Sequence, residues 1–286
     1  MNCYRCDKPL NEQNESEEHL IPNSIGGHTI SKKLLCRNCN SILASLDASL
    51  AKQLNIFMVL LNPKRDNGNI PHINAKNIHT KEDVYLNANG TEFSKYPEYI
   101  NNEDGSITVK ASKLKRLNQE LKKIKKENPS AKIEEPNFSK QSKYGEYHSF
   151  SEVNLDLIHN GFLKIAINHF IEFEGEFEFI KNAVKNLIED EPYKKVFIYP
   201  LKDWINVNLD ELKFHYVNIN GCYKNNMLYA NIALFNYYRA TVLLDKNYTG
   251  RDFTICKIHP VFGRIQDSDK KCELDIRELN EIFDLS

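Results

Sequence analysis

Four cysteines, arranged as two C-x-x-C pairs, have a spacing that points directly to metal chemistry. Cys3 and Cys6 form one pair, Cys36 and Cys39 form the other, and 29 residues separate the two pairs. Zn²⁺ favours thiolate ligands and has no geometric preference of its own, so four thiolates suit a closed tetrahedral site. We therefore predict structural zinc here. The remaining cysteines lack such a pattern and are expected to be ordinary thiols, buried or half-buried: Cys222, Cys256 and Cys272.

A histidine beside acidic residues lies between the two cysteine pairs. Glu17 and Glu18 precede His19, which is followed by Leu-Ile-Pro and then by a Gly-Gly pair. Asn40 comes directly after the second cysteine pair. A histidine with a pKa near its usual value of about 6.5 can act as a base at neutral pH. Carboxylate oxygens are the ligands that Mg²⁺ prefers.

This order of residues resembles the HNH (His-Asn-His), or ββα-metal, endonucleases, in the subgroup where four cysteines hold the ββα element with zinc. The pattern is an acid-His pair, two apolar residues, Pro, Gly-Gly and then C-x-x-C-Asn, and it covers about a fifth of the chain. The resemblance implies metal-dependent hydrolysis of phosphodiester bonds. His19 would be the general base, and Glu18 and Asn40 would hold one Mg²⁺ or Mn²⁺ ion.

The segment departs from the family pattern in one respect and leaves one ligand open. Adjacent strand residues face opposite ways, so Glu18 and His19 share a site only if the strand is strongly twisted. Glu17, on the same face as His19, is the alternative ligand. The middle Asn of the family pattern is missing between residues 28 and 35, where Ser31, Lys32 or Lys33 stands in its region.

The elements that position these residues follow from hydrophobic spacing. After the second cysteine pair, apolar residues recur every fourth position and predict a helix: Ile42, Leu46, Leu50 and Leu54, with Leu43 and Ala51 widening the stripe. Residues 69–111 are predicted to form short strands, with hairpin turns at Asn89-Gly90 and Asp104-Gly105.

A basic amphipathic helix that ends before Pro129 is predicted in the basic stretch 110–132, and a linker or surface loop is predicted over 129–150. Its cations could lie along phosphates, and the alternative is a solvated helix that packs only its apolar face. The candidate nucleic-acid-binding residues on it are Lys115, Arg116, Lys122 and Lys123.

The last part of the chain is predicted to change from helices to strands. Residues 151–192 carry helical spacing, residues 194–260 carry strand-forming runs, and a final helix is predicted from Leu274 to Phe283. His169 lies on an apolar helix face and is expected to be a core histidine. We therefore predict an α+β protein: an N-terminal zinc-bound ββα (treble-clef-like) module, then a mixed α+β domain with a β-rich C-terminal half.

We predict that the chain divides into three segments: 1–62 is the nuclease module, 63–150 holds a hairpin, the basic helix and a linker, and 151–286 is a target-recognition or regulatory domain. The net charge of −1 gives no overall basic excess, so nucleic-acid binding would rely on local patches. We expect a cytoplasmic protein that does not bind membranes.

The predicted activity is endonucleolytic cleavage of DNA, with RNA as the alternative substrate and a homodimer for double-strand cuts. Bacterial defence, restriction and mobile-element roles are all compatible with it. The competing hypothesis is a non-catalytic zinc module that binds nucleic acid or a protein. A third is that residues 150–286 sense a ligand that controls cleavage.

Overall fold

The structure is a computed structural model that describes residues 1–63, 65, 69–88, 92–137, 146–149, 154–189, 193–198, 213–262 and 266–267. The chain divides into two compact units. Unit 1 combines Met1–Asn69 with Glu152–Ser286, and unit 2 is Ile70–Ser151. The nuclease-like segment 1–62 therefore shares one unit with the C-terminal segment. The functional roles predicted for the three segments stay predictions.

Helices and strands are mixed along the described part of the chain. The strands are β1 (Glu18–His19), β2 (Ile30–Ser31), β3 (Ile73–Asn77), β4 (Asp83–Leu86), β5 (Glu92–Ser94), β6 (Glu98–Asn101), β7 (Ile107–Lys110), β8 (Tyr147–His148), β9 (Val196–Ile198), β10 (Phe214–Cys222), β11 (Met227–Leu234), β12 (Tyr238–Asp245), β13 (Phe253–Pro260) and β14 (Gln266–Asp267). The α-helices are α1 (Arg37–Gln53), α2 (Asn55–Leu61), α3 (Leu114–Glu127), α4 (Leu155–Phe173) and α5 (Lys181–Ile188). With the four-cysteine cluster at the N-terminus, this confirms the predicted α+β class.

Helix α1 is the helix predicted after the second cysteine pair, with one change in its apolar face. Leu43, Leu46, Leu50 and Leu54 are buried, whereas Ile42 is 45% exposed, so Leu43 occupies the core position expected for Ile42. Helix α2 follows at a bend of 65°. Among the described residues no single helix has the length and apolar character to cross a membrane, and α1 with α2 meets that test only as a bent pair.

Helix α4 is the central element of unit 1. It is buried on nearly all sides between Ile158 and Ile171, and it contacts α1 as well as strands β10 and β12. A Cβ atom on Gly161 would lie 3.0 Å from the Leu50 side chain, so glycine allows α1 to approach α4 closely. The helices predicted over 151–192 are confirmed as α4 and α5, with Gly175 (φ 77°) between them.

A six-stranded antiparallel sheet, in the order β14-β13-β10-β11-β12-β9, packs against α4. The strands predicted within 194–260 are confirmed where the structure describes these residues (194–198 and 213–260), and in their register Val217 pairs with Ile232, which pairs with Ala240. These residues are buried, as expected for the sheet face that packs on a helix. The predicted helix from Leu274 to Phe283 lies outside the described residues.

Unit 2 holds a four-stranded sheet (β5-β4-β3-β8), a separate β6-β7 hairpin and helix α3. The hairpin turn at Asp104-Gly105 is confirmed, with Gly105 at φ 78°, whereas Asn89-Gly90 lies outside the described residues. Helix α3 is the basic helix predicted in the stretch 110–132, and it ends before Pro129 as predicted, whereas Lys110 at the start of that stretch ends strand β7. The predicted linker 129–150 is wrong at Tyr147–His148, which pairs with β3 as β8.

Candidate functional site

The two cysteine pairs converge as predicted. All four sulfur atoms lie within 4.8 Å of one another, and the Sγ atoms of Cys6 and Cys36 are 3.8 Å apart. Four sulfurs each about 2.3 Å from a tetrahedral Zn²⁺ ion would be about 3.8 Å apart, so the cluster fits zinc. Within the described residues it is the only such group of His, Cys, Asp or Glu side chains.

Backbone hydrogen bonds fix both cysteine turns. The amide of Asp7, at φ 58°, donates to the carbonyl of Cys3 at 2.8 Å. Cys36 is the residue before the first turn of α1, and its carbonyl accepts the amide of Asn40 at 2.9 Å. The second cysteine pair therefore lies at the start of α1, and Asn40 is in the first turn of that helix.

His19 lies on the hairpin formed by β1 and β2, where it pairs with Ile30 and Glu18 pairs with Ser31. The Gly-Gly pair lets the connecting loop fold tightly, because a Cβ on Gly27 would lie only 1.8 Å from the carbonyl oxygen of Ile21. His19 is half-buried, in contrast to its buried neighbours Glu18 and Leu20.

Ser31 stabilises the loop where the family pattern has its middle Asn. Its Oγ atom accepts the backbone amide of Lys33 at 3.1 Å and donates to Glu172 at 2.5 Å. Lys33 also binds Glu172, with 3.2 Å between Nζ and Oε1. A side-chain bond to the loop backbone is therefore present without the asparagine.

Glu18 lies in the core, with only 2% of its surface exposed. Its Oε1 atom is 2.8 Å from Nζ of Lys164, and the amide of Asn168 donates to it at 3.1 Å. Nζ of Lys164 also lies 2.7 Å from Oδ2 of Asp47. Asp47, on α1, is thus the third member of this ion cluster.

Asn40 and Glu17 lie on a more open part of the same hairpin and helix. Asn40 is half-buried, and its amide group donates to the backbone carbonyl of Glu17 at 3.5 Å. The Glu17 side chain is exposed and lies 3.9 Å from the ammonium of Lys32. Glu18 therefore points into the core, while Glu17 and Asn40 remain in contact with solvent.

Three histidines of the C-terminal segment are buried, and burial lowers the pKa of His169 and His215 to about 4. His169 is the predicted core histidine: its ring hydrogen-bonds to the carbonyl of Ile165 at 2.7 Å and to the ring of His259 at 2.8 Å. The carbonyl cannot donate, so Nδ1 of His169 carries a proton and Nε2 of His259 is the donor of the second bond.

Lys164, Asn168 and Asp47 have no role in the sequence prediction. Lys164 and Asn168 are one turn apart on a helix whose other inward positions are almost all apolar. Polar side chains are rarely buried without a partner, so their presence in that helix was a signal of a buried polar cluster. The sequence held no information on which acidic residues would complete it.

The candidate phosphate-binding residues lie together on α3, in unit 2. Lys115, Lys122 and Lys123 are exposed and Arg116 is half-buried. Lys123 is 3.2 Å from the carboxylate of Glu120, which also accepts the Tyr99 hydroxyl at 2.7 Å. The apolar positions 117, 121 and 124 are only half-buried, so the helix packs one face and presents its cations on the other.

Residues 1–55 thus combine a cluster of four cysteines, a hairpin that carries His19, and a helix with Asn40 in its first turn. Residues 3–55 match the family model described as HNH endonuclease, which confirms the resemblance. Comparison of the chain with curated proteins and with solved structures gave no match. An endonuclease-type domain with a zinc site implies a nucleic-acid substrate.

Proposed function

We propose that this protein is an endonuclease that hydrolyses phosphodiester bonds in DNA, with His19 as the general base. The observation that carries the proposal is the family match over residues 3–55, which includes His19 and Asn40 on a scaffold where the zinc thiolates converge. His19 is half-buried on a short strand, and the pairing of that strand with β2 holds its backbone in place.

In the proposed reaction the His19 imidazole takes a proton from a water molecule. The water oxygen attacks phosphorus, the bond from phosphorus to the leaving sugar oxygen breaks, and that oxygen gains a proton from solvent. A divalent ion of the Mg²⁺ or Mn²⁺ type would stabilise negative charge on the phosphate. Asn40 suits such an ion, since an amide oxygen is a hard ligand on a partly open surface.

Glu18, the other ligand implied by the family pattern, fits the ion poorly. Its carboxylate is 2% exposed and already paired with Lys164. An ion that catalyses hydrolysis needs coordination positions open to water and phosphate. No step of the proposed reaction therefore depends on an ion at Glu18.

Cleavage of supercoiled plasmid, measured with Mg²⁺, Mn²⁺ or chelator, tests the activity. We expect metal-dependent cutting that falls at least about 100-fold in His19→Ala, the usual loss on removing a general base. His79→Ala is the matched control, because His79 is an exposed histidine of unit 2. Nicked circles would indicate single cuts, and linear product would favour two copies acting together.

The competing function is a zinc-stabilised module that binds nucleic acid or a protein without cutting. It predicts no cleavage and a DNA affinity that is equal in the wild type and His19→Ala. If the zinc-loaded wild-type protein leaves the plasmid intact with every metal tested, the proposed activity is excluded under those conditions and this alternative is favoured.

We also propose that α3 binds the phosphate backbone. Each phosphate neutralised by a cation adds about 0.9 to the slope of log affinity against log salt concentration. Replacing Lys115 and Lys122 by Ala should therefore reduce the slope by up to about 2. Lys76→Ala, an exposed lysine of β3 in the same unit, is the control. An unchanged slope in the double variant would exclude α3 from the interface.

A further inference from the structure

The carboxylate of Glu18 is held by a cation that belongs to the protein. The Lys164 ammonium lies 2.8 Å from Oε1 of Glu18 and 2.7 and 2.8 Å from the two oxygens of Asp47. The Lys164 and Glu18 side chains are 2% and 3% exposed, and that of Asp47 is 23% exposed. Burial alone would lower the pKa of Lys164, but the two carboxylates outweigh it and raise that pKa, so the ammonium stays charged.

This arrangement leaves little room for a second cation at Glu18. A Mg²⁺ ion would need to approach a carboxylate oxygen to about 2.1 Å. Oε1 already accepts the Lys164 ammonium and the amide of Asn168. A divalent ion bound here would also lie next to a positive charge, in surroundings where water screens that repulsion weakly.

Helix α4 holds strand β1 through its backbone as well. The Asn168 amide donates to the carbonyl oxygen of His19 at 3.3 Å in addition to Glu18. Its own oxygen accepts the hydroxyl of buried Tyr4 at 3.1 Å, which fixes the orientation of the amide group. Asn168 thus holds the backbone of His19, the residue proposed as the base, and Lys164 holds its neighbour Glu18.

We propose that Lys164 takes the place of a metal ion at Glu18, and that Lys164 and Asn168 are positioning residues for His19. A catalytic ion would then bind on the open side, with Asn40 and the exposed carboxylate of Glu17 as its ligands. The positioning role rests on the proposed nuclease function. The occupancy of Glu18 by Lys164 does not, and it can be tested by metal binding alone.

Mn²⁺ binding to the full-length, zinc-loaded protein, followed by electron paramagnetic resonance, tests the first part. Glu18→Gln keeps the Lys164–Asp47 pair, so the variant is expected to fold. We expect its Mn²⁺ dissociation constant to stay within about twofold of wild type, whereas Glu17→Gln should raise it at least about tenfold. A tenfold rise in Glu18→Gln would overturn the proposal.

Lys164→Gln supplies a measurement that does not require the wild type to bind Mn²⁺. Removing the ammonium leaves Glu18 and Asp47 facing one cation position, so this variant should gain a Mn²⁺ site. The gain should disappear when Glu18→Gln is added. If Lys164→Gln is folded, as judged by circular dichroism, and gains no Mn²⁺ site, the proposal is overturned.

Steady-state cleavage tests the positioning role. Asn168→Ala should lower kcat about tenfold or more and leave KM and Mn²⁺ affinity unchanged, because the His19 strand loses its backbone partner but substrate contacts remain. Asn160→Ala is the matched control: Asn160 is buried on the same helix and accepts the Tyr193 amide instead of contacting β1. An equal loss of kcat in both variants, or a change in KM alone, would contradict the positioning role of Asn168. If the wild type cuts nothing, the nuclease proposal fails while the Mn²⁺ experiments still decide the role of Lys164.

Discussion

Lys164→Met is expected to be among the most destabilising single substitutions in unit 1. The variant keeps most of the side-chain volume but removes the ammonium that lies 2.8 Å from Glu18 and 2.7 Å from Asp47. Removing one partner of a buried ion pair typically costs about 3–5 kcal/mol, because the remaining charge is left unpaired. Glu18 is 2% exposed and cannot recover its solvation, whereas Asp47 can do so in part.

The loss should be partly reversed by a second substitution. In the double variant Lys164→Met with Glu18→Gln, the buried unpaired charge is gone. Its loss of stability should therefore be about 1–3 kcal/mol smaller than the sum of the losses in the two single variants. Urea unfolding of the zinc-loaded protein at neutral pH, followed by circular dichroism, measures each free energy of unfolding. Lys181→Met is the control: this ammonium is 65% exposed and lies 3.5 Å from Glu178, so the cost should be about 0.5 kcal/mol or less.

Two results would contradict this prediction: a free energy of unfolding of Lys164→Met within about 1 kcal/mol of wild type, or strictly additive effects in the double variant. Either result would mean that Lys164 does not neutralise a buried Glu18. The pH dependence gives a further check. Burial already raises the pKa of Glu18 in the wild type. Without the ammonium that pKa should rise further, so proton uptake by Glu18 in mild acid should stabilise Lys164→Met by more than it stabilises the wild type.

Three other outcomes are expected. Gly27→Ala should cost about 3 kcal/mol, because its Cβ would overlap a carbonyl oxygen 1.8 Å away, whereas Gly105→Ala has open space and should cost about 1 kcal/mol in urea unfolding. His169 and His215 fold as neutral rings with a pKa of about 4 against a usual 6.5, so stability should fall once the pH drops below 6.5. At about pH 5 each should cost about 2 kcal/mol, and an unchanged urea midpoint would contradict this. Removing zinc with a strong chelator should unfold the N-terminal cysteine turns, since structural zinc contributes about 10 kcal/mol or more, and limited proteolysis at the N-terminus would report it.

Local patterns in the sequence predicted the parts of the site that lie close together in the chain. The C-x-x-C spacing identified the zinc cluster, and strand alternation raised the question of whether Glu18 could share a site with His19. In the structure Glu18 and His19 pair with successive residues of β2, and Glu18 is buried while His19 is partly exposed. The pattern did not predict that Ile42 is exposed, because helical spacing alone did not distinguish Ile42 from Leu43.

Contacts between distant segments could not be predicted in the same way. Lys164 and Asp47 are 117 residues apart, and His169 and His259 are 90 residues apart. The pairing of such groups depends on how α4 packs between α1 and the sheet, which is a property of the whole unit. A single sequence shows that a helix has buried polar residues but not which partners satisfy them.

The long stretch of sequence between β1 and α4 also affects the order in which the parts of unit 1 can form during synthesis. Asn168 follows Glu18 by 150 residues, which at about 5–20 residues per second corresponds to roughly 8–30 seconds of translation. The cysteine turns can close around zinc early, since all four thiols lie within the first 39 residues. The strand bearing His19 gains its partners on α4 only after unit 2 has been made, so a nascent chain would hold its metal long before its histidine is fixed in place.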